Sequence, residues 1–548
     1  MRKSVQATPT RVAVILVLIA ALALPFGRSN AAATPPPANR IVVQLAQGTL
    51  AGTVEDGLHV FRGIPYAGAP VGEWRWRPPR PAPAWRGLRD AGEFGPVCPQ
   101  LLQPAYSKED LEGRPMSEDC LYLNVWTPEA RNGAKRPVMV WLLPGGYTRG
   151  DASMAIYDGR SLAKRGVVVV TLNNRLGIFG VFAHPAMSRA QADEPLANYI
   201  LMDQIAALKW VRANIETFGG DPANVTIFGM SAGGMSVNYL MASPAAAGLF
   251  DRAISQSSAL RMSYERKLAE TSGPLPSLES DGLRQAQALG VSGDDAAVLR
   301  GLRGLSMQQL LDYQQKNPIG VAGGLGPVID GRILTEPVGR AFELGRAHRV
   351  PYMTGATSWE GSLVQGGAES LQPVLGLLAL TRGQVDPLWQ EPDAEKLSWK
   401  VYSEFFLATQ RHLAAAHAQH GGTAFVYRFA RVLDAHIGDT IGAAHGAETR
   451  YVFGTLEGLQ RFVGTTRSQN FGWRVGPSDR AYADLVARYW VNFATSGDPN
   501  GEGMPGWPAR TAASDLLLEF GQQAPQVRRD FNADRYALFE SQFAAGKL

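Results

Sequence analysis

The chain of 548 residues is poor in cysteine, in uncompensated charge and in long apolar runs. Lysine and arginine number 53 against 49 aspartates and glutamates, a formal net charge of +4, and no basic stripe stands out. That balance argues against nucleic acid and against anionic membrane surfaces as partners. Thirteen consecutive apolar residues, Val12 to Leu24, fall well short of the roughly 20 needed to cross a bilayer. They follow Arg2 and Lys3 and precede the small-residue end "SNA", a secretory signal pattern that would be cut after Ala31. Removing residues 1–31 takes away Arg2, Lys3, Arg11 and Arg28 and no acid, which leaves the remainder near neutrality. The expectation is an exported protein, secreted or periplasmic, without an integral membrane span once the signal is gone. In such an oxidising compartment the only two cysteines, Cys98 and Cys120, read as a disulfide rather than a metal site. Its 21-residue loop would contribute about 3 kcal/mol.

What is present is an alternation of strand-like and helix-like segments. Short strands are expected at "RIVVQL" and "TLAGTV", and "VFRGIPYAGAPVGEWRWRPPRPAPAW" reads as loop because its prolines and glycines oppose regular structure. "LYLNVWTP", "PVMVWLLP" and "VVVVTLNN" are near-continuous apolar runs, the mark of central strands covered on both faces. Residues 196–218 carry helical spacing at Ile205, Leu208, Trp210 and Ile215 and lead into the strand-like "VTIF". Strand, helix, strand in this order winds a parallel sheet. Residues 262–350 turn helical and interrupted, as an insertion would. "VPYMTGAT" and "AFVYRFA" supply further strands, and a late helix over "DRAYADLVARYWVNFATSGDPN" ends at Gly497 and Pro499. No 20–50-residue repeat and no composition break stands out, so residues 32–548 read as a single domain.

At the joint between "VTIF" and the next helix stands "GMSAG", a serine with glycines two positions away on each side. A sharp strand-to-helix turn pushes its central side chain out at the carboxyl edge of the sheet, and the glycines keep neighbours from blocking it. The pattern makes Ser231 a candidate nucleophile, although a glycine-flanked serine is often only a helix cap.

The segments "FGGDPANVTIFGMSAGG" and "SEDCLYLNVW" resemble the two signature segments of the type B carboxylesterases, the family that includes the cholinesterases. "FRGIPYAGAPVG", "YDGRSLA", "ALKWVRANI" and "YWVNFATSGDPNG" match family-like segments in the same order, so the resemblance covers nearly the whole chain after the signal. It implies an α/β-hydrolase fold: a mostly parallel central sheet, helices on both faces, helical insertions over the active site, and a triad in the chain order Ser, Glu, His. On that pattern Glu360 in "GATSWEG" is the acid and His445 in "GAAHGAETRYVFG" the base, with His436 the rival histidine. His412, His417 and His420 lie in a polar helical stretch that reads as a solvated face, not a metal cluster, and no metal or other cofactor is expected.

The resemblance also assigns oxyanion donors to the backbone N–H groups of Gly145, Gly146 and Ala232. Here "LLPGGYTRG" departs from the family, whose loop has three glycines preceded by His or Tyr; Pro144 and Leu143 stand in those places. The implied reaction is hydrolysis of a small-molecule carboxylic ester through an acyl-enzyme. The rival is a non-catalytic, neuroligin-like binding protein on the same fold; those members typically lose the nucleophile, which this chain keeps. A cholinesterase would place tryptophan in the Cys98–Cys120 loop to bind a cation, yet that loop holds only Tyr106 as an aromatic, and Met230 replaces the frequent Glu before the nucleophile. Choline esters are therefore not expected. Arg149 in "GGYTRGD" is a candidate for pairing with a substrate carboxylate, against the plainer reading of a solvated arginine paired with Asp151. Oligomeric state is not encoded in any motif found.

Overall fold

Valine-rich and aromatic runs build the sheet, because branched side chains stack well on a pleated surface. In the computed structural model the described residues are 39–102, 111, 113–130, 133–259, 265–272, 275–318, 326–457 and 474–548. Residues 1–31, expected from the sequence to be a signal, and Tyr106 lie outside them. Among these residues there are thirteen strands: β1 (Arg40–Leu45), β2 (Gly48–Glu55), β3 (Leu58–Pro65), β4 (Leu88–Asp90), β5 (Tyr122–Thr127), β6 (Arg136–Leu142), β7 (Val168–Leu172), β8 (Gly220–Met230), β9 (Arg252–Gln256), β10 (Tyr352–Thr357), β11 (Ala424–Phe429), β12 (Leu516–Phe520) and β13 (Gln526–Arg529). They form one sheet in the order β1-β2-β3-β5-β7-β6-β8-β9-β10-β11-β12-β13, with β4 beside β2. From β7 across to β12 every pairing is parallel; β1, β3, β5 and β13 are antiparallel to their neighbours.

The apolar runs are continuous because both faces are covered. On β6, Val138, Val140 and Leu142 enter one core while Met139 and Trp141 enter the other, and β7 divides Val168 and Val170 from Val169 in the same way. Each side chain so buried is worth about 1.5–3 kcal/mol. Helix α1 (Tyr199–Asn214) packs on the first face. The late helix, Pro477–Ser496, supplies Val486, Trp490 and Phe493 to the second and ends on Gly497 at φ 84°, a left-handed stop that glycine takes without strain. The insertion contains three amphipathic helices, Leu278–Ala288, Asp295–Gly304 and Met307–Lys316, each opened by a side-chain cap from Ser277, Asp294 or Ser306. It packs on the early loop through Arg75, whose guanidinium donates to the Leu305 carbonyl at 2.6 Å.

Two expectations need correction. The proline-rich segment starting at Val60 opens inside a strand: β3 runs to Pro65, and a bulge between Phe61 and Ile64, with Gly63 at φ 62°, absorbs the irregular residues. The three histidines of "QRHLAAAHAQH" do not form a solvated face. They lie at the end of a 26-residue helix, Ala394–Gln419, that is covered on several sides. His412 contacts Glu540 at 2.9 Å and Glu343 at 3.3 Å, and His417 and His420 contact the carbonyls of Val350 and Glu343.

Candidate active site

Register places the site. Met230 of β8 is level with Gln256 of β9, and Gln256 with Gly355 of β10, so the three strands end together at one edge of the sheet. Ser231 follows at once, between β8 and helix α2 (Ala232–Ala242), with φ 57° and ψ −122°. A non-glycine residue in that region is strained by about 1–3 kcal/mol, and surrounding contacts must hold it there. Its N–H donates to the Gln256 carbonyl at 2.8 Å and its carbonyl accepts from the Met235 N–H at 2.8 Å. Close approach accounts for both glycines of the motif: a Cβ on Gly229 would come within 2.6 Å of the Gly233 backbone, and one on Gly233 would collide with the Leu142 carbonyl.

Glu360 opens a short turn three residues beyond β10 and is fully buried. One carboxylate oxygen accepts from the Thr357 N–H at 2.7 Å, and the other meets Nδ1 of His445. The loop carrying His445 is brought alongside by a bridge between Trp359 and Ala444, by the Trp359 N–H donating to the Ala443 carbonyl at 2.9 Å, and by the His445 N–H donating to Ser362 Oγ at 2.9 Å. Phe406 stands edge-on to the imidazole at 5.7 Å. Nδ1 is thus engaged, while Nε2 is buried with no hydrogen-bond partner among the described residues. Burial disfavours the imidazolium, but the charge and hydrogen bond of Glu360, with a contribution from Glu448, outweigh it and raise the His445 pKa above its ordinary value. His436, the rival, sits by Asp439 at 3.5 Å instead.

The loop after β6 turns beside the Ser231 turn, because Leu142 is level with Gly229 of β8. Gly145, Gly146 and Tyr147 all have positive φ, at 103°, 62° and 60°. The Thr148 and Arg149 N–H groups fold back to the Gly145 carbonyl at 3.1 and 3.3 Å, so a side chain on Gly145 would strike the Arg149 backbone. Among the described residues, neither the Gly145 nor the Gly146 N–H donates to another backbone group. Pro144 fits ahead of this turn because it supplies no donor there. Ala232 heads α2, where an N–H has no partner within the helix. Arg149 is half-buried, and the Asp151 carboxylate is taken up by Arg114 at 2.8 Å, Asn173 at 3.1 Å and Ser153. Cys98 and Cys120 form a disulfide with Cα atoms 5.1 Å apart. No group of three or more His, Cys, Asp or Glu among the described residues is arranged to hold a metal ion.

One member of the site was missed in the sequence. Glu448 is fully buried three residues after His445; its Oε1 accepts from Ser257 Oγ at 3.2 Å, with Gln256 Nε2 and Tyr427 OH at 3.5 Å. Gln256 is the residue whose carbonyl holds the Ser231 N–H, and Ser257 is itself strained at φ 49°. Glu448 thereby joins the histidine loop to the turn that carries the serine. Burial first, then the Glu360 charge, push its carboxyl up to about 7. The available signal was its place in "HGAE", one helical turn beyond His445.

Comparison with known proteins identifies the family. The Carboxylesterase family model matches residues 39–371 and 391–539. The para-nitrobenzyl esterase of Bacillus subtilis is 35% identical over 488 residues, covering 85% of this chain and 92% of that one. The fumonisin B1 esterase of Sphingopyxis macrogoltabida is 33% identical over 524 residues, covering 92% and 90%. Among solved structures, a para-nitrobenzyl esterase superposes with a TM-score of 0.75 at 30% identity over 91% of this chain and 99% of that one. A Geobacillus stearothermophilus carboxylesterase at pH 6.2 gives 0.75 at 34% identity over 90% and 99%. On this evidence the chain belongs to the carboxylesterase family, with the α/β-hydrolase fold and carboxylic-ester hydrolase activity.

Proposed function

We propose that this hydrolase works through Ser231, His445 and Glu360 and an acyl-enzyme intermediate. The observation that carries the reading is the half-engaged imidazole: His445 is fixed through Nδ1 by Glu360 while Nε2 has no partner among the described residues, at the same sheet edge as the strained Ser231 turn. Nε2 takes the Ser231 proton as Oγ bonds to the acyl carbon, and the N–H groups of Gly145, Gly146 and Ala232 stabilise the resulting oxyanion. The bond from acyl carbon to alcohol oxygen then breaks, and the departing oxygen takes the proton from Nε2. Water adds by the same route, releasing the acid and restoring Ser231. Glu360 keeps the imidazole in the needed tautomer and stabilises its charged form.

A fluorophosphonate probe should label Ser231 stoichiometrically, and Ser231→Ala should lose both labelling and ester turnover. Turnover near the parent level in that variant would overturn the assignment.

For the substrate, we read Arg149 as favouring esters that bear a carboxylate. Its Cγ packs close to Gly145, within the candidate oxyanion loop, and a guanidinium offers two parallel hydrogen bonds to such a group. Arg149→Ala should raise KM for a polycarboxylate half-ester and spare a neutral ester of equal size. Equal losses on both reduce Arg149 to a structural part.

A further inference from the structure

One polar side chain of the helical insertion reaches toward the oxyanion loop. Helix Met307–Lys316 buries Leu310, Leu311 and Gln314, which share a face at helical spacing. The two leucines are what an amphipathic helix lays on a core; a buried amide among them needs a partner. Gln314 Oε1 accepts from the Ile178 N–H at 3.1 Å. Ile178 belongs to the short buried turn Gly177–Gly180, whose first two N–H groups find no acceptor inside the turn. Gln314 takes one of them. The other, from Gly177, donates to the Tyr147 carbonyl at 2.7 Å. Gly177 has φ 52°, and a Cβ on it would collide with Gln314 Oε1, so the amide is seated directly against the turn. Trp76 Nε1 donates to the Ile178 carbonyl at 2.8 Å and holds that residue from its other side.

Tyr147 follows Gly146 directly and is itself buried. Its φ of 60° is costly for a residue with a side chain and persists only where contacts on both sides hold it. On one side the Gly177 N–H fixes its carbonyl. On the other, Ser236 Oγ meets its hydroxyl at 3.5 Å, and Ser236 lies on α2 one helical turn beyond Ala232. Ser236 Oγ in turn accepts from Gln204 of α1 at 3.2 Å. Tyr147 therefore spans the two sources of the candidate oxyanion donors, the Gly145–Gly146 loop and the head of α2. The insertion touches this arrangement through Gln314 and the turn it holds.

We propose that Gln314 is a positioning residue for the reaction: it holds the Gly177–Gly180 turn, the turn fixes the Tyr147 carbonyl, and the fixed Tyr147 sets the direction of the Gly145 and Gly146 N–H groups. This rests on the serine-hydrolase reading above, and Gln314 acts on the reacting atoms only through Tyr147. Donors aimed at an oxyanion stabilise the transition state more than the bound ester, so a misdirected pair lowers kcat and leaves KM nearly in place. The insertion then contributes to the chemical step.

The test uses p-nitrophenyl acetate as substrate and a trifluoromethyl ketone as inhibitor, since Ser231 adds to the ketone to give a hemiketal oxyanion. Gln314→Leu keeps the volume and removes the acceptor, whereas Gln314→Glu keeps an acceptor oxygen in the same place. Gln314→Leu should lower kcat about 5- to 10-fold, the size of one neutral hydrogen bond, hold KM within about twofold, and weaken the ketone by the same factor as kcat/KM. Gln314→Glu should recover most of both losses. Ser306→Ala removes the cap at the other end of the same helix; it should lower the melting temperature and leave kcat within about twofold. A kcat for Gln314→Leu within twofold of the parent overturns the proposal. An equal loss in Ser306→Ala or in Gln314→Glu also overturns it, because either shows only a general loosening of the insertion. A parent protein that hydrolyses the ester yet escapes the ketone lacks the oxyanion site assigned above, and that outcome sinks the underlying reading and the proposal with it.

Discussion

Two side chains carry opposite kinds of tension. Ser231 holds a backbone conformation suited to glycine, so Ser231→Gly should raise the stability by about 1 kcal/mol while abolishing turnover. Ser231→Ala should show no such gain, since alanine dislikes the same φ, and equal melting temperatures for the two variants would refute the strain. Glu448 is an acid kept in apolar surroundings beside another acid. Its folded pKa of about 7 lies above the ordinary 4.5, so the folded state binds more protons between those values and its stability falls as pH rises through the window. Glu448→Gln is free of that effect, and its melting temperature should gain on the parent as pH rises from 5 to 7. The same change removes a negative charge near His445, which lowers the imidazole pKa. Only neutral imidazole accepts the serine proton, so the acid limb of the pH profile of kcat/KM should move to lower pH in the variant; a limb that stays in place would separate Glu448 from the base. Ser231 was legible because five consecutive residues encode its turn. Glu448 was not: nothing local distinguishes it from a surface glutamate, and its role arises from Gln256 and Ser257, nearly 200 residues earlier in the chain.

At the scale of elements, the acid loop rests directly on the backbone of the Ala394–Gln419 helix. A Cβ on Gly361 would run into the Trp399 Cα, and both sides of that contact are backbone and cannot rotate away. Gly361→Ala should therefore cost about 1–3 kcal/mol in a urea titration and lower kcat as Glu360 is displaced; a variant with the parent's midpoint and rate would show that the loop floats free of the helix. The sequence-based reading found β6 and β7 because both faces of each are apolar, and found α1 from its spacing. It missed β9, whose "RAISQ" has only Ala253 and Ile254 as apolar residues and whose polar carboxyl end, Ser255 and Gln256, is buried through hydrogen bonds. It took Val60–Pro65 for loop because glycine and proline forbid a regular strand but permit a bulged one.

At the scale of the molecule, residues Asn39–Leu548 cluster as one unit by their internal contacts. We propose that residues 1–31 are removed on export, on the strength of the charge, apolar run and small-residue end of that segment. Sequencing the amino terminus of protein recovered outside the cytoplasm should then read from Ala32; an intact Met1 in that fraction would refute it. The sheet that organises this unit is open, and on its far side β13 pairs only with β12, its four residues Gln526, Val527, Arg528 and Arg529 all exposed. An open edge of this kind presents backbone donors and acceptors to any passing strand, and a second molecule could extend the sheet indefinitely. Two adjacent guanidinium groups occupy that border, one of them anchored by Glu519 at 2.7 Å. A like edge approaching from another molecule brings the same guanidinium groups with it, so positive charge on this border works against edge-to-edge pairing.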